Sequence, residues 1–149
     1  MTGPTRTLVV PSSSSDTSSS GSPKTFVFEL SGGPEAGRAA RRALLRQDGD
    51  DLPEPIRGDL LLLVSELVTN AVRHGEVGPD GSLRVEGVRS GPRVAVEVTD
   101  PGSGFDTVLP ARSEPGGWGL VLVDRLADRW GVNRTAAGTC VWFEMRWAA

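Results

Sequence analysis

Three groups of residues in this 149-residue chain have types and spacings that could do chemistry. The first is Glu66-Leu67-Val68-Thr69-Asn70-Ala71-Val72-Arg73-His74. On a helix, Glu66 and Asn70 project from one face a turn apart, and Arg73 and His74 continue that stripe opposite Leu67 and Ala71. Leu60 to Val64 just upstream are all apolar, so the helix is expected to be buried over much of its surface. A buried polar group must find a partner or costs about 1–3 kcal/mol. This polar face therefore meets either water or a ligand. The second group, Asp100-Pro101-Gly102-Ser103-Gly104-Phe105, follows an alternating strand. It is either a plain turn or a strand-end binding position where glycine lets the backbone approach a ligand closely. The third, Gly116-Gly117-Trp118-Gly119-Leu120, opens a helix. Glycines there leave backbone N–H groups free to face an anion, and a phosphate chain is the natural guest. No Gly-Lys-Ser/Thr follows, and no βαβ unit frames the glycines, so neither a Walker loop nor a dinucleotide fingerprint is present.

Composition narrows the chemistry. The single histidine, His74, and the single cysteine, Cys140, leave metal binding to carboxylate and amide oxygens, which suit magnesium rather than zinc. A net charge of −3 argues against a nucleic-acid partner. No run of about 18 apolar residues exists to span a membrane, and Leu8-Val9-Val10 is too short for a signal-peptide core. With no internal disulfide possible, the expectation is a cytoplasmic protein. Cys140 reads as a packed thiol in an apolar strand.

The elements that must position these groups follow from local pattern. Residues 1–23, rich in Ser, Thr, Pro and Gly, read as a disordered tail, and 24–149 as one domain. Thr25–Leu30 reads as a strand, Pro34 to about Gln47 as a helix ended by Gly49, and Pro55–His74 as a longer helix closed by Gly75. Ser82–Val88 and Arg93–Thr99 form a hairpin around Ser90-Gly91-Pro92; Asp100–Pro115 is a loop. Gly119–Arg129 is a short helix, and Trp130–Thr135 with Thr139–Trp147 makes a closing hairpin. This order predicts an α+β fold: a two-layer sandwich of a mixed, mostly antiparallel sheet with helices on one face. Arg38, Arg41, Arg42 and Arg46 on the first helix read as a solvated basic face, or more sharply as a docking surface for an acidic partner.

Taken together and in order, Glu-x-x-x-Asn, Asp-x-Gly-x-Gly and Gly-x-Gly resemble the nucleotide site of the GHKL ATPase superfamily, which includes gyrase-type ATPases, histidine kinases and MutL. The resemblance covers about residues 24–147. Within it, Ser65-Glu66-Leu67-Val68-Thr69-Asn70-Ala71, Gly117-Trp118-Gly119-Leu120, Ala127-Asp128-Arg129-Trp130-Gly131 and Gly138-Thr139-Cys140-Val141-Trp142-Phe143-Glu144 are similar to the anti-sigma serine kinases.

The resemblance implies ATP and Mg²⁺ as ligands, with Asn70 on the metal and Glu66 as general base. It implies that Asp100 accepts a hydrogen bond from the adenine amino group and that Gly102 and Gly104 pass close to base and ribose. Gly117, Gly119 and Leu120 would cover the phosphates, and Thr139 would reach the adenine pocket. Arg73, Arg112 and Arg125 are candidates for the γ-phosphate, and His74 either stabilises a phosphate or merely ends the helix. The implied activity is an ATP-dependent protein serine/threonine kinase that binds a sigma factor and phosphorylates its anti-sigma antagonist; a homodimer is open to it. A non-catalytic ATP-responsive module is the main alternative. A stand-alone histidine-kinase-like ATPase domain fits less well, because the only histidine lies inside the implied site.

Overall fold

The computed structural model describes residues 22–75, 77–101, 118–135 and 138–148. Alternation of apolar and polar residues makes β1 (Lys24–Ser31), which buries Phe26, Phe28 and Leu30 on one face. Helix α1 (Ala36–Asp48) follows, with Ala40, Ala43 and Leu44 inward. Helix α2 (Glu54–His74) then buries Leu60, Leu63, Val64, Leu67, Val68 and Ala71. Strands β2 (Ser82–Ser90) and β3 (Arg93–Asp100) form the expected hairpin. Helix α3 (Trp118–Leu126) leads to β4 (Arg129–Thr135) and β5 (Gly138–Arg146).

The five strands lie in the order β1-β2-β3-β5-β4, and all four pairings are antiparallel. The expected α+β fold, a mostly antiparallel sheet with helices on one face, is what forms; only the parallel pairing that a mixed sheet allows is absent among the described residues. The crossover from β3 through α3 to β4 does join two strands of the same direction, but β5 returns between them and separates them. The inner sheet face, with Val85, Val94, Val96, Val98, Val141, Phe143 and Met145, packs against the helices in one core. Phe26 and Phe28 stack within it, ring centroids 6.3 Å apart. Gly87 faces Phe26, whose ring occupies the volume a side chain there would need. The register places Val27, Glu86, Glu97 and Trp142 side by side on the opposite face.

Boundaries move where hydrogen bonds intervene. Gly49 does not end α1 in a left-handed turn: its φ of −59° lets the chain run on into a short 3-10 turn, Gly49–Asp51. Buried Asp48 accepts from Arg89 Nε and Nη2, both at 3.2 Å, and ties this corner to β2. Gln47 both donates to and accepts from the Val27 backbone on the edge strand (3.0 and 3.2 Å). Helix α3 stops at Leu126, not Arg129, because Asp128, just ahead of β4, turns to hydrogen-bond with β5. Its N–H donates to Glu144 O at 2.9 Å, and its carboxylate accepts from Arg146 N at 2.6 Å. Arg38, Arg41, Arg42 and Arg46 are exposed, and Arg38 lies 3.7 Å from Glu35. Residues 1–21 of the Ser-rich segment lie outside the described residues. Among the described residues no helix is long and apolar enough to cross a membrane.

Candidate functional site

Three chain ends converge at one edge of the core: the C-terminus of α2, the last residue of β3 and the first residues of β5. Asp100 closes β3 and is 1% exposed. Thr139 is its register partner on β5 and equally buried. Its hydroxyl finds no hydrogen-bond partner among the described residues. Gly75 caps α2, its N–H donating to Ala71 O at 2.8 Å, and its α-carbon faces the Asp100 carboxylate. A methyl group on Gly75 would stand 2.6 Å from Asp100 Oδ1 and 2.9 Å from its carboxyl carbon. The φ of Gly75 is −83°, a conformation any residue adopts, so the glycine is required by space and not by backbone torsion. Gly138, with φ 137°, presses against the backbone of Asp100 and Pro101 from the other side.

Helix α2 supplies the rest. Asn70 is 3% exposed, so it does not belong to a polar face that simply meets water. It precedes Gly75 by five residues, about 7.5 Å along the helix. Glu66 one turn earlier is half-buried, while Arg73 and His74 are exposed. Gly37 of α1 fixes this helix from behind: a methyl there would lie 2.7 Å from Thr69 Oγ1 and 3.1 Å from Ser65 Oγ. Thr69 in turn donates its hydroxyl to Ser65 O at 2.9 Å. The segment 77–81 is clamped to the connection between β1 and α1, with Gly32 N donating to Gly81 O (3.0 Å) and Gly33 N to Val77 O (3.3 Å).

The structure therefore brings Asp100 and Thr139 together and sets Asn70 and Glu66 on the helix that ends against them. Gly119 and Leu120 lie in the first turn of α3, which packs on α2. Gly102, Gly104, Gly117 and Arg112 lie outside the described residues. Arg125 is exposed on α3. Among the described residues no group of three or more His, Cys, Asp or Glu could hold a metal alone. Sequence reasoning read Gly75 only as a helix stop and passed over Gly37; the tight packing at both positions depends on tertiary approach, which periodicity does not encode.

Cys140 points away from this site and is not surrounded by apolar groups alone. Its thiol donates to Glu97 Oε1 at 3.3 Å on the outer sheet face. Burial first, and then the Glu97 charge, push the thiol up to about 12. Burial also raises the Glu97 carboxyl above its ordinary value, helped by neighbouring Glu86.

A family model described as histidine kinase-like ATPase domain matches residues 30–145. No curated protein matches the chain. Two solved structures are similar. The RsbU and RsbW domains of Rv1364c from Mycobacterium tuberculosis give a TM-score of 0.63 at 23% identity, over 83% of this chain and 32% of that one. At that identity the likeness is one of fold. The histidine kinase domain of the blue-light activated histidine kinase EL346 from Erythrobacter litoralis gives 0.52 at 26% identity, over 74% and 59%. The chain thus spans about a third and about three fifths of these two proteins.

Proposed function

The chain belongs to the histidine kinase-like ATPase domain family, and from that premise we propose that it is an ATP-dependent protein serine/threonine kinase of the anti-sigma type. The observation that carries the nucleotide site is the meeting of Asp100, Thr139 and Gly75. A buried carboxylate, a buried hydroxyl with no partner among the described residues, and a glycine held bare against the carboxylate suit a planar base bearing an amino group. Asp100 accepts from the adenine amino group in this reading. Guanine would present a carbonyl there and leave the carboxylate opposed, which favours adenine by about 1–3 kcal/mol.

Asn70 offers an amide oxygen to Mg²⁺, an ion that keeps several waters and takes few protein ligands. Its burial on a helix otherwise lined by Leu, Val and Ala supports a ligand role. Glu66, one turn nearer the N-terminus, is the proposed base: it takes the proton of a seryl or threonyl hydroxyl as that oxygen receives the γ-phosphoryl group of ATP and ADP departs. Gly102, Gly104, Gly117, Gly119 and Leu120 complete the nucleotide contacts in this proposal, with Arg73 and His74 near the phosphates. The proposed protein partners are a sigma factor and its antagonist. Phosphorylation adds about two negative charges to the antagonist's docking surface and so switches which partner is held.

A second reading, phosphoryl transfer to a histidine, is favoured by the likeness to a histidine kinase domain. Incubation with γ-labelled ATP and a candidate antagonist separates the two. Acid-stable label on the antagonist, lost in Glu66→Ala, is expected. Acid-labile label on histidine would favour the second reading, and ATP binding with no transfer would leave a nucleotide-responsive binding module.

A further inference from the structure

Gly75 stands where the end of α2 meets the end of β3, and its surroundings give it a role beyond leaving room beside the base. Its conformation is open to alanine, so the backbone does not explain the glycine. What excludes a side chain is the Asp100 carboxylate at 2.6 Å and the Ala71 carbonyl oxygen, also at 2.6 Å, from the position a β-carbon would take. Neither can yield cheaply. Asp100 is the last residue of a buried strand, held in register with Thr139, and Ala71 O already accepts the Gly75 N–H. Carbon and oxygen in van der Waals contact need more than 3 Å, so a methyl here would displace the carboxylate or the end of α2 by several tenths of an ångström.

We propose that Gly75 is a positioning residue of the nucleotide site: its missing side chain lets the C-terminal turn of α2 stand against Asp100 and fixes where that carboxylate presents its acceptor oxygens. The inference rests on the ATP reading and adds a specificity role to it. Hydrogen bonds weaken steeply when an acceptor moves out of line. Displacing Asp100 therefore removes the group that distinguishes adenine from guanine and leaves the phosphate contacts in place.

The test is ATP and GTP binding by calorimetry for the wild-type chain, Gly75→Ala and Gly131→Ala. Gly131 is also a crowded glycine, but a β-carbon added there would meet the Trp142 ring, at 2.8 Å from Nε1, on the opposite sheet face. Gly131→Ala thus controls for general destabilisation. At a temperature where all three are folded by circular dichroism, Gly75→Ala should bind ATP at least tenfold more weakly. Its ATP-over-GTP preference should collapse towards unity, while Gly131→Ala keeps both. Gly75→Ala that holds its preference and binds ATP less than tenfold more weakly than wild type overturns the inference. If Gly75→Ala does not fold, Gly75→Ala/Asp100→Ser should regain folding, because the obstacle is then smaller. A double variant as unfolded as the single one would show that the Ala71 carbonyl, and not Asp100, excludes the side chain, and so overturns the proposal. Wild type that binds ATP with Gly75→Ala unimpaired sinks this inference alone; wild type that binds no ATP sinks the nucleotide reading and the inference with it.

Discussion

Thr139→Val should move stability and nucleotide binding in opposite directions. Thr139 is 1% exposed, and its hydroxyl has no hydrogen-bond partner among the described residues. A buried hydroxyl in that condition costs about 1–3 kcal/mol relative to water. Valine keeps the β-branched shape that suits β5 and replaces the hydroxyl with a methyl. Without nucleotide, the variant should therefore gain about 1 kcal/mol, or roughly 3–5 °C in melting temperature for a domain of this size. If the hydroxyl serves the adenine pocket, its loss costs about 1–2 kcal/mol of binding, a five- to thirtyfold weaker Kd for ATP. Urea unfolding of the nucleotide-free protein and calorimetric titration with Mg-ATP measure the two effects separately. A variant destabilised by 1 kcal/mol or more would show that the hydroxyl is already bonded in the fold. An unchanged ATP affinity would remove Thr139 from the site.

Asp48→Ala should destabilise the fold by about 2–4 kcal/mol in urea unfolding. It strands Arg89, which is mostly buried and among the described residues retains only Asp51, at 3.8 Å, as an ion-pair partner; a loss under 1 kcal/mol would mean the pair contributes little. Cys140, raised from 9.0 to about 12, should react with iodoacetamide at pH 8 about a thousandfold more slowly in the folded protein than in urea. Because the folded thiol has the higher pKa, its stabilising contribution is complete below pH 9 and declines as pH rises from there towards 12. Glu97→Gln should speed the alkylation by removing the adjacent negative charge, and equal folded and unfolded rates would contradict the assigned burial.

Much of this architecture was legible in the chain because its signals are local. The Leu and Val stripe of α2 and the alternation in β1 to β3 follow from what each face must bury. Glu66 and Asn70 stand out because polar groups on an apolar helix are costly without partners, and Asp100 because two spaced glycines follow it at a strand end. What was not legible depends on tertiary approach. The end of α3 was set by Asp128, whose partners Glu144 and Arg146 lie 16 and 18 residues further on. The all-antiparallel sheet depends on β5 inserting between β3 and β4, which no local pattern announces. Cys140 sits in an apolar run, yet its thiol bonds a carboxylate of β3, Glu97, which lies diagonal to it because its direct register partner is Thr99.

The central claim is that the Asp100 end of the core binds adenine nucleotide with magnesium. Calorimetric titration of the wild-type chain, Asp100→Asn and Asn70→Ala with ATP and GTP, with and without Mg²⁺, tests it most directly. The expected result is magnesium-dependent binding of ATP in preference to GTP. Asp100→Asn should weaken it tenfold or more, because the asparagine amide is shorter of acceptors for the amino group. Asn70→Ala should remove the magnesium dependence. A wild-type chain that binds no adenine nucleotide up to millimolar concentration would contradict the claim, as would Asp100→Asn binding ATP as tightly as wild type.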